Sequence, residues 1–337
     1  MVPRALLALT TLVALATGGC AGLRLGLIDA SARRPSNLAI YFTVDNNDDQ
    51  PVPSLTAQSF RIYEDGQPIS VHESKQTILN PEVAAAHHTL LLIDMSGSVT
   101  GSGDVSVIQE AARAFGERIQ KYQKVGIYAF DGDTQIHPIA PFTTGGALAN
   151  GAGRLGSFKS RDPSTNLNGA VLEGLKVLRR QMSSSAAPLT FGTLVVFTDG
   201  TDRAHRVTRE QLERELYETD LEVMVIGVGA EIDEGSLRRI GKNGTILTKD
   251  RSQITAYFHA AAARVEASSK HYYLLGYCSP SRAGKHELRI ETTHQGQSGS
   301  LTYEFDAAGF APGCDPTAKP AFNVRRPAKG KGKAKAK

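Results

Sequence analysis

The chain has 337 residues, 41% of them hydrophobic and 21% charged, with a formal net charge of +4. That length fits one large domain with smaller additions. The composition is that of an ordinary globular protein, and no stretch after the N-terminus is apolar for long enough to cross a bilayer, so an internal membrane span is excluded. The charge is uneven. From Lys319 onward the chain carries eight basic residues and no acid, and removing those eight charges from the +4 total leaves −4 for the rest. Residues 311–337 are therefore expected to form a disordered basic tail, because Lys alternating with Gly and Ala from Lys329 offers no apolar face. Such a tail serves either as a solubilising extension or, given the export signal read next, as a contact to anionic envelope polymer, with nucleic acid not expected.

Export is read from the first twenty residues. Arg4 gives a short positive region, Ala5 to Ala16 an apolar core, and Thr17-Gly18-Gly19 a run of small residues ahead of Cys20. Small residues ending at a cysteine resemble the lipobox of bacterial lipoproteins, with Thr17 standing where that group usually has Leu. The resemblance implies lipidation of Cys20 and a lipid-anchored envelope protein, the outer membrane favoured because Ala21 follows. A conventional signal for a periplasmic or secreted protein is the alternative. Residues 21–36 read as a tether. Only Cys278 and Cys314 remain after Cys20, and they are either a disulfide in an oxidising compartment or two buried thiols.

An N-terminal β unit is expected over residues 37–82. Leu38, Ile40, Phe42 and Val44 alternate as in a half-buried strand, Asp45 to Asp49 makes a polar turn, and Phe60 to Tyr63 enters a hairpin through Glu64-Asp65-Gly66 into Ile69 to Val71. The Asn and Asp run lacks the ligand spacing of a calcium loop and reads as a turn. His87-His88 reads as the end of a linker.

From residue 83 to 268 the period changes. Thr89 to Ile93 is a continuous apolar run suited to a buried strand, and Ile108, Ala111, Ala112, Phe115 and Ile119 recur at helical spacing. Strand Val125 to Phe130, a helix from Leu167 to Met182, strand Thr193 to Thr198, a helix opened by the capping box Thr208 to Gln211, and strand Val223 to Val228 continue the alternation. The expected fold class is α/β, a doubly wound domain with helices on both faces of a mostly parallel sheet. Residues 269–310 return to β, and the strands on the two flanks are expected to combine into a small β-sandwich that holds the α/β domain as an insertion.

In a doubly wound sheet the crevice lies beyond the carboxyl ends of the strands. Two motifs fall there: Asp94-Met95-Ser96-Gly97-Ser98 after the first strand and Thr198-Asp199-Gly200 after a later one, with Ser164-Thr165-Asn166 before the intervening helix. Oxygen-only donors in that number suit a hard divalent cation, Mg²⁺ first and Mn²⁺ or Ca²⁺ as alternatives. The pattern closely resembles the von Willebrand factor A family over residues 37–310, with a metal-ion-dependent adhesion site. The resemblance places Asp94, Ser96, Ser98, Thr165 and Asp199 as metal ligands, although Ser164 stands before Thr165 where the family often has Gly. Asp202 is a further nearby carboxylate, read as a solvated turn residue. The resemblance implies a binding module for a protein partner that presents a carboxylate to the cation. An accessory subunit of an envelope enzyme, or a structural envelope protein, are the other readings. No enzymatic activity is expected: there is no Gly-x-Ser-x-Gly elbow, no phosphate loop and no His pair at zinc-binding spacing.

Overall fold

A computed structural model describes residues 22–79, 85–121, 123–143, 147–187, 189–270 and 272–322. The signal and lipidation readings, Cys20 included, lie outside the described residues, as does everything after Phe322. Ahead of the central domain come β1 (Arg24–Arg33), β2 (Asn37–Asp45), β3 (Phe60–Glu64), β4 (Gln67–Pro68) and β5 (Thr77–Leu79). The central sheet contains β6 (Ala85–Asp94), β7 (Lys124–Phe130), β8 (His137–Thr143), β9 (Leu189–Thr198), β10 (Glu222–Val228) and β11 (Gly244–Thr248). Its helices are α1 (Gly97–Gly101), α2 (Val105–Ile119), α3 (Ala147–Ala152), α4 (Leu167–Ser183), α5 (Arg209–Glu218), α6 (Glu234–Ile240) and α7 (Ile254–Lys270). The chain closes with β12 (Tyr272–Cys278), β13 (Lys285–His294) and β14 (Gln297–Asp306).

The six central strands run in the order β11-β10-β9-β6-β7-β8, parallel except for β8, which is antiparallel to β7. Side chains alternate across a strand, and β6 divides accordingly. Leu91 and Ile93 pack with Phe115 of α2 and Phe258 of α7 on one face. Leu90 and Leu92 pack with Leu175 and Leu178 of α4 on the other. The continuous apolar run is thus a strand covered on both sides.

Two antiparallel sheets, β1-β2-β12-β5 and β14-β13-β3-β4, face each other across a core that includes Ile40, Phe42, Phe60, Ile62, Tyr277 and Ile290. Strands from both flanks pair within each sheet, β2 with β12 and β3 with β13, so the α/β domain is inserted into this sandwich. The outward face of β2 presents Ala39 and Tyr41, which pack with Ala85 and Leu189 at the starts of β6 and β9. Among the described residues the sandwich therefore covers the amino ends of the central strands and not their carboxyl ends.

Several expectations change. Residues read as a tether form β1, paired with β2 from Arg24↔Asp45 to Arg33↔Asn37; a bulge between Leu27 and Asp29 breaks the alternation that would have marked a strand. His87 and His88 lie within β6, not in a linker, and burial holds the fully enclosed His88 imidazole below its ordinary value. Ile69 to Val71 does not form the expected strand, since β4 ends at Pro68. Residues 311–322, placed in the basic tail, pack against the body: Cys314 and Phe322 are buried, and the Ala321 amide donates to the Ser31 hydroxyl at 3.1 Å. A disulfide joins Cys314 to Cys278, with their Cα atoms 5.7 Å apart.

Candidate metal-ion site

The open edge is built from three loops. Asp94 ends β6, and Ser96 starts the turn into α1 with its amide donating to Asp94 Oδ1 at 3.0 Å. Gly97 sits close to the neighbouring loop: its amide donates to the Pro163 carbonyl at 2.8 Å, and a Cβ would stand 3.0 Å from Pro163 Cβ, a tight contact that Pro163 would have to accommodate. That contact fixes the Asp94–Ser98 loop against the segment leading to Thr165.

Asp199 follows the last residue of β9, the strand hydrogen-bonded beside β6. The Ser98 hydroxyl donates to Asp199 Oδ1 at 2.8 Å, and the Ser96 and Ser98 hydroxyl oxygens are 3.3 Å apart. Asp94 is fully buried and Asp199 nearly so, at 3% exposure, whereas Ser98 opens to solvent. Burial pushes the Asp94 carboxyl up to about 6, the nearby Asp199 charge adds to that rise, and hydrogen bonds from Ser96 and Thr198 oppose it. Thr165 is buried immediately before Asn166, the N-cap of α4, and its carbonyl accepts from the Arg203 and Ala204 amides at 2.8 and 3.0 Å. Its hydroxyl faces Gly200, 3.9 Å from where a Cβ on that glycine would stand.

These residues fit a hard divalent cation by the chemistry of their donors. Hydroxyls and carboxylates converge, and the 3.3 Å between the serine oxygens is close to the roughly 3.0 Å between neighbouring corners of an octahedron with bonds of about 2.1 Å. Among the described residues no group of three or more His, Cys, Asp and Glu is gathered for a metal.

Three residues here had no role in the sequence reading. The Thr198 hydroxyl donates to Asp94 Oδ2 at 2.6 Å and so locks the first carboxylate from the neighbouring strand. Arg251 donates to Asp199 Oδ2 at 2.6 Å and to Asp104 Oδ2 at 2.7 Å. The Asp104 bond is the foremost cause holding the Arg251 guanidinium above its ordinary range; burial opposes it and Asp199 adds to it. Thr198 adjoins Asp199 and could have been flagged by adjacency; Arg251 and Asp104 sit in no motif. Asp202 also differs from the reading given to it: its side chain is only 11% exposed and accepts from the Asn168 amide at 3.0 Å, where a negative charge meets the start of α4.

No curated protein matches the chain. Among solved structures, it is similar to a von Willebrand factor type A protein from Catenulispora acidiphila, at 11% identity over 87% of this chain and 75% of that one, with a TM-score of 0.47. It is also similar to the vWF domain of the type V pili tip protein Mfa5 from Porphyromonas gingivalis, at 11% identity over 55% and 96% of the two chains and a TM-score of 0.41. The manganese-loaded TRAP protein of Plasmodium vivax aligns at 13% identity over 74% and 99%, with a TM-score of 0.40. The model of the von Willebrand factor type A domain matches residues 90–260, just over half of the sequence, and the chain belongs to that family.

Proposed function

We propose that this chain is a binding module and not an enzyme, anchored to the bacterial cell envelope through lipid on Cys20, and that it engages a protein partner through a divalent cation. Mg²⁺ is the expected ion, with Mn²⁺ or Ca²⁺ as substitutes, and Asp94, Ser96, Ser98, Thr165 and Asp199 would hold it. When bound, the cation supplies a hard point of attraction for a carboxylate of the partner. The observation that carries the reading is the meeting of two enclosed carboxylates with exposed Ser98 at the open edge of the sheet, Ser98 Oγ lying 2.8 Å from Asp199.

The chain's own residues divide the work. Thr198 and the Ser96 amide fix both oxygens of Asp94, so that carboxylate contributes charge without freedom to rotate. Ser98 faces solvent and presents its hydroxyl where a partner can approach. Selectivity has to come from the rim, where exposed Gly101 to Gly103 and His205 to Arg206 flank the site.

Thermal melts of the wild type and Asp94→Ala in Mg²⁺, Mn²⁺ and EDTA test the metal. The wild type should gain about 2.7 kcal/mol when Mg²⁺ is at a hundred times its dissociation constant, and Asp94→Ala should gain nothing while remaining folded. Identical wild-type melting in all three conditions would remove the metal from the mechanism. Crosslinking in intact cells with and without EDTA then identifies the partner. Radiolabelled palmitate should enter the wild type and not Cys20→Ser.

A further inference from the structure

The opposite end of the central sheet carries a second concavity. A cavity of about 880 Å³ lies where the amino ends of the central strands meet the sandwich. Its aromatic wall is formed by His87, Phe191 and Tyr272, with ring centroids 5.0 Å apart for His87 and Phe191 and 4.6 Å apart for Phe191 and Tyr272. The lining is also acidic. Among the described residues Arg179 is the one Lys or Arg of the lining and is paired with Glu215, and Lys242 donates to the Leu216 and Thr219 carbonyls at the edge, whereas Glu218, Asp220 and Glu222 add three negative charges. Glu218 and Asp220 are exposed, so their carboxylates are open to a ligand. Aromatic faces beside carboxylates are the chemistry that receives ammonium and guanidinium groups, which gain from the ring quadrupole within about 6 Å of a centroid and from ion pairing.

We propose that this cavity is a binding site for Lys and Arg side chains, and that its occupant is the chain's own basic segment, residues 323–337. Two observations select that occupant. The first is charge: the segment carries Arg325, Arg326 and five lysines without one acid. The second is where the described chain ends. Phe322 is buried with its ring 6.1 Å from Tyr41, and Tyr41 is stacked at 6.1 Å on Phe191 and 5.8 Å on Tyr272 of the cavity wall. The described chain therefore ends one aromatic ring away from the cavity wall, and a span of about 3.3 Å per extended residue is enough for Arg325 and Arg326 to reach it. Occupancy of the cavity competes with any contact of the same charges to anionic envelope polymer, so the two ends of the central sheet serve different ligands: a carboxylate at one, basic side chains at the other.

The test uses the full chain, kept in mild detergent because of its apolar N-terminus, and a chain ending at Phe322, which retains Cys314 and the buried Phe322. A fluorescent peptide with the sequence of residues 323–337 is titrated into each. It should bind the shortened chain and bind the full chain at least about tenfold more weakly, since the tethered segment already fills the site. Glu218→Gln combined with Asp220→Asn should weaken binding to the shortened chain by about tenfold, the loss of two exposed ion pairs, and added salt should act in the same direction. Both substitutions are at exposed positions, and far-UV circular dichroism confirms folding. Equal binding to full and shortened chains overturns the proposal, as does binding indifferent to the acid substitutions. Sedimentation showing a dimer that requires residues 323–337 also overturns it, because the occupant would then belong to a second copy.

Discussion

Replacing Arg251 by Ala should destabilise the metal-free protein and tighten its hold on a divalent cation. Arg251 is the positive charge facing Asp199, at 2.6 Å, with the Asp199 side chain 2% and the Arg251 side chain 37% exposed. Breaking a fully buried pair costs about 3–5 kcal/mol and breaking an exposed one about 0.2–1 kcal/mol. The enclosed carboxylate argues for the first range and the water-screened guanidinium for the second, which gives about 2 kcal/mol. In a domain of this size that corresponds to a melting temperature about 4–8 °C lower in EDTA. A cation that relieves the same uncompensated charge recovers that free energy on binding, so the dissociation constant should fall by up to about thirtyfold. Melts in EDTA and calorimetric titration with Mg²⁺ and Mn²⁺ measure both quantities, and Arg251→Lys, which keeps a charge, should lie between. An unchanged melt in EDTA, or weaker metal binding by Arg251→Ala, would refute the reasoning.

The disulfide offers an independent check on the C-terminal segment: Cys278 and Cys314 are 36 residues apart, and by the loop-entropy relation Cys314→Ser should cost about 3–4 kcal/mol in chemical denaturation. A variant as stable as the oxidised wild type would show that residues 311–322 are held by packing alone. The hairpin at Asp65 predicts a pH dependence, because its hydrogen bond to His286 raises the imidazole above its ordinary value and lowers the Asp65 carboxyl below its own. The raised imidazole contributes stability present in full below its unfolded pKa and lost as pH rises through the folded one. The depressed carboxyl contributes stability present above its unfolded pKa and lost as pH falls through the folded one. The pair therefore acts between the two folded values, and in an NMR titration Asp65→Asn should move the His286 midpoint down; an unmoved midpoint would exclude the pairing.

Much of the fold was legible because it rests on local rules. Each apolar run of the central sheet feeds two faces, so Thr89 to Ile93 reads as a strand without reference to its neighbours, and the Thr208 to Gln211 box opens α5 as its side-chain pattern dictates. The motif residues Asp94, Ser96, Ser98 and Asp199 were legible for a related reason: strand ends in a parallel sheet fall at one edge, so order along the chain already implies proximity in space. The elements that were missed have weak local signals. The bulge in β1 scrambles its alternation, and three-residue β5 acquires its strand character only by pairing with β12.

The sequence by itself determined the layering of the α/β domain, the division of the flanking strands about it, and which hydroxyl and carboxylate side chains meet at the open edge. Those follow from periodicities of two and 3.6 and from the chemistry of Ser, Thr and Asp side chains. Only the tertiary structure decided which charge answers Asp199, since Arg251 is 52 positions away and belongs to no pattern. It alone placed Asp202 at the start of α4, enclosed His88 in a strand, and brought Tyr41, Phe191, Tyr272 and Phe322 together beside an acidic cavity. The physical reason is the same in each case: an ion pair or an aromatic contact is set by the distance between side chains after folding, and that distance carries no signature in the local run of residues.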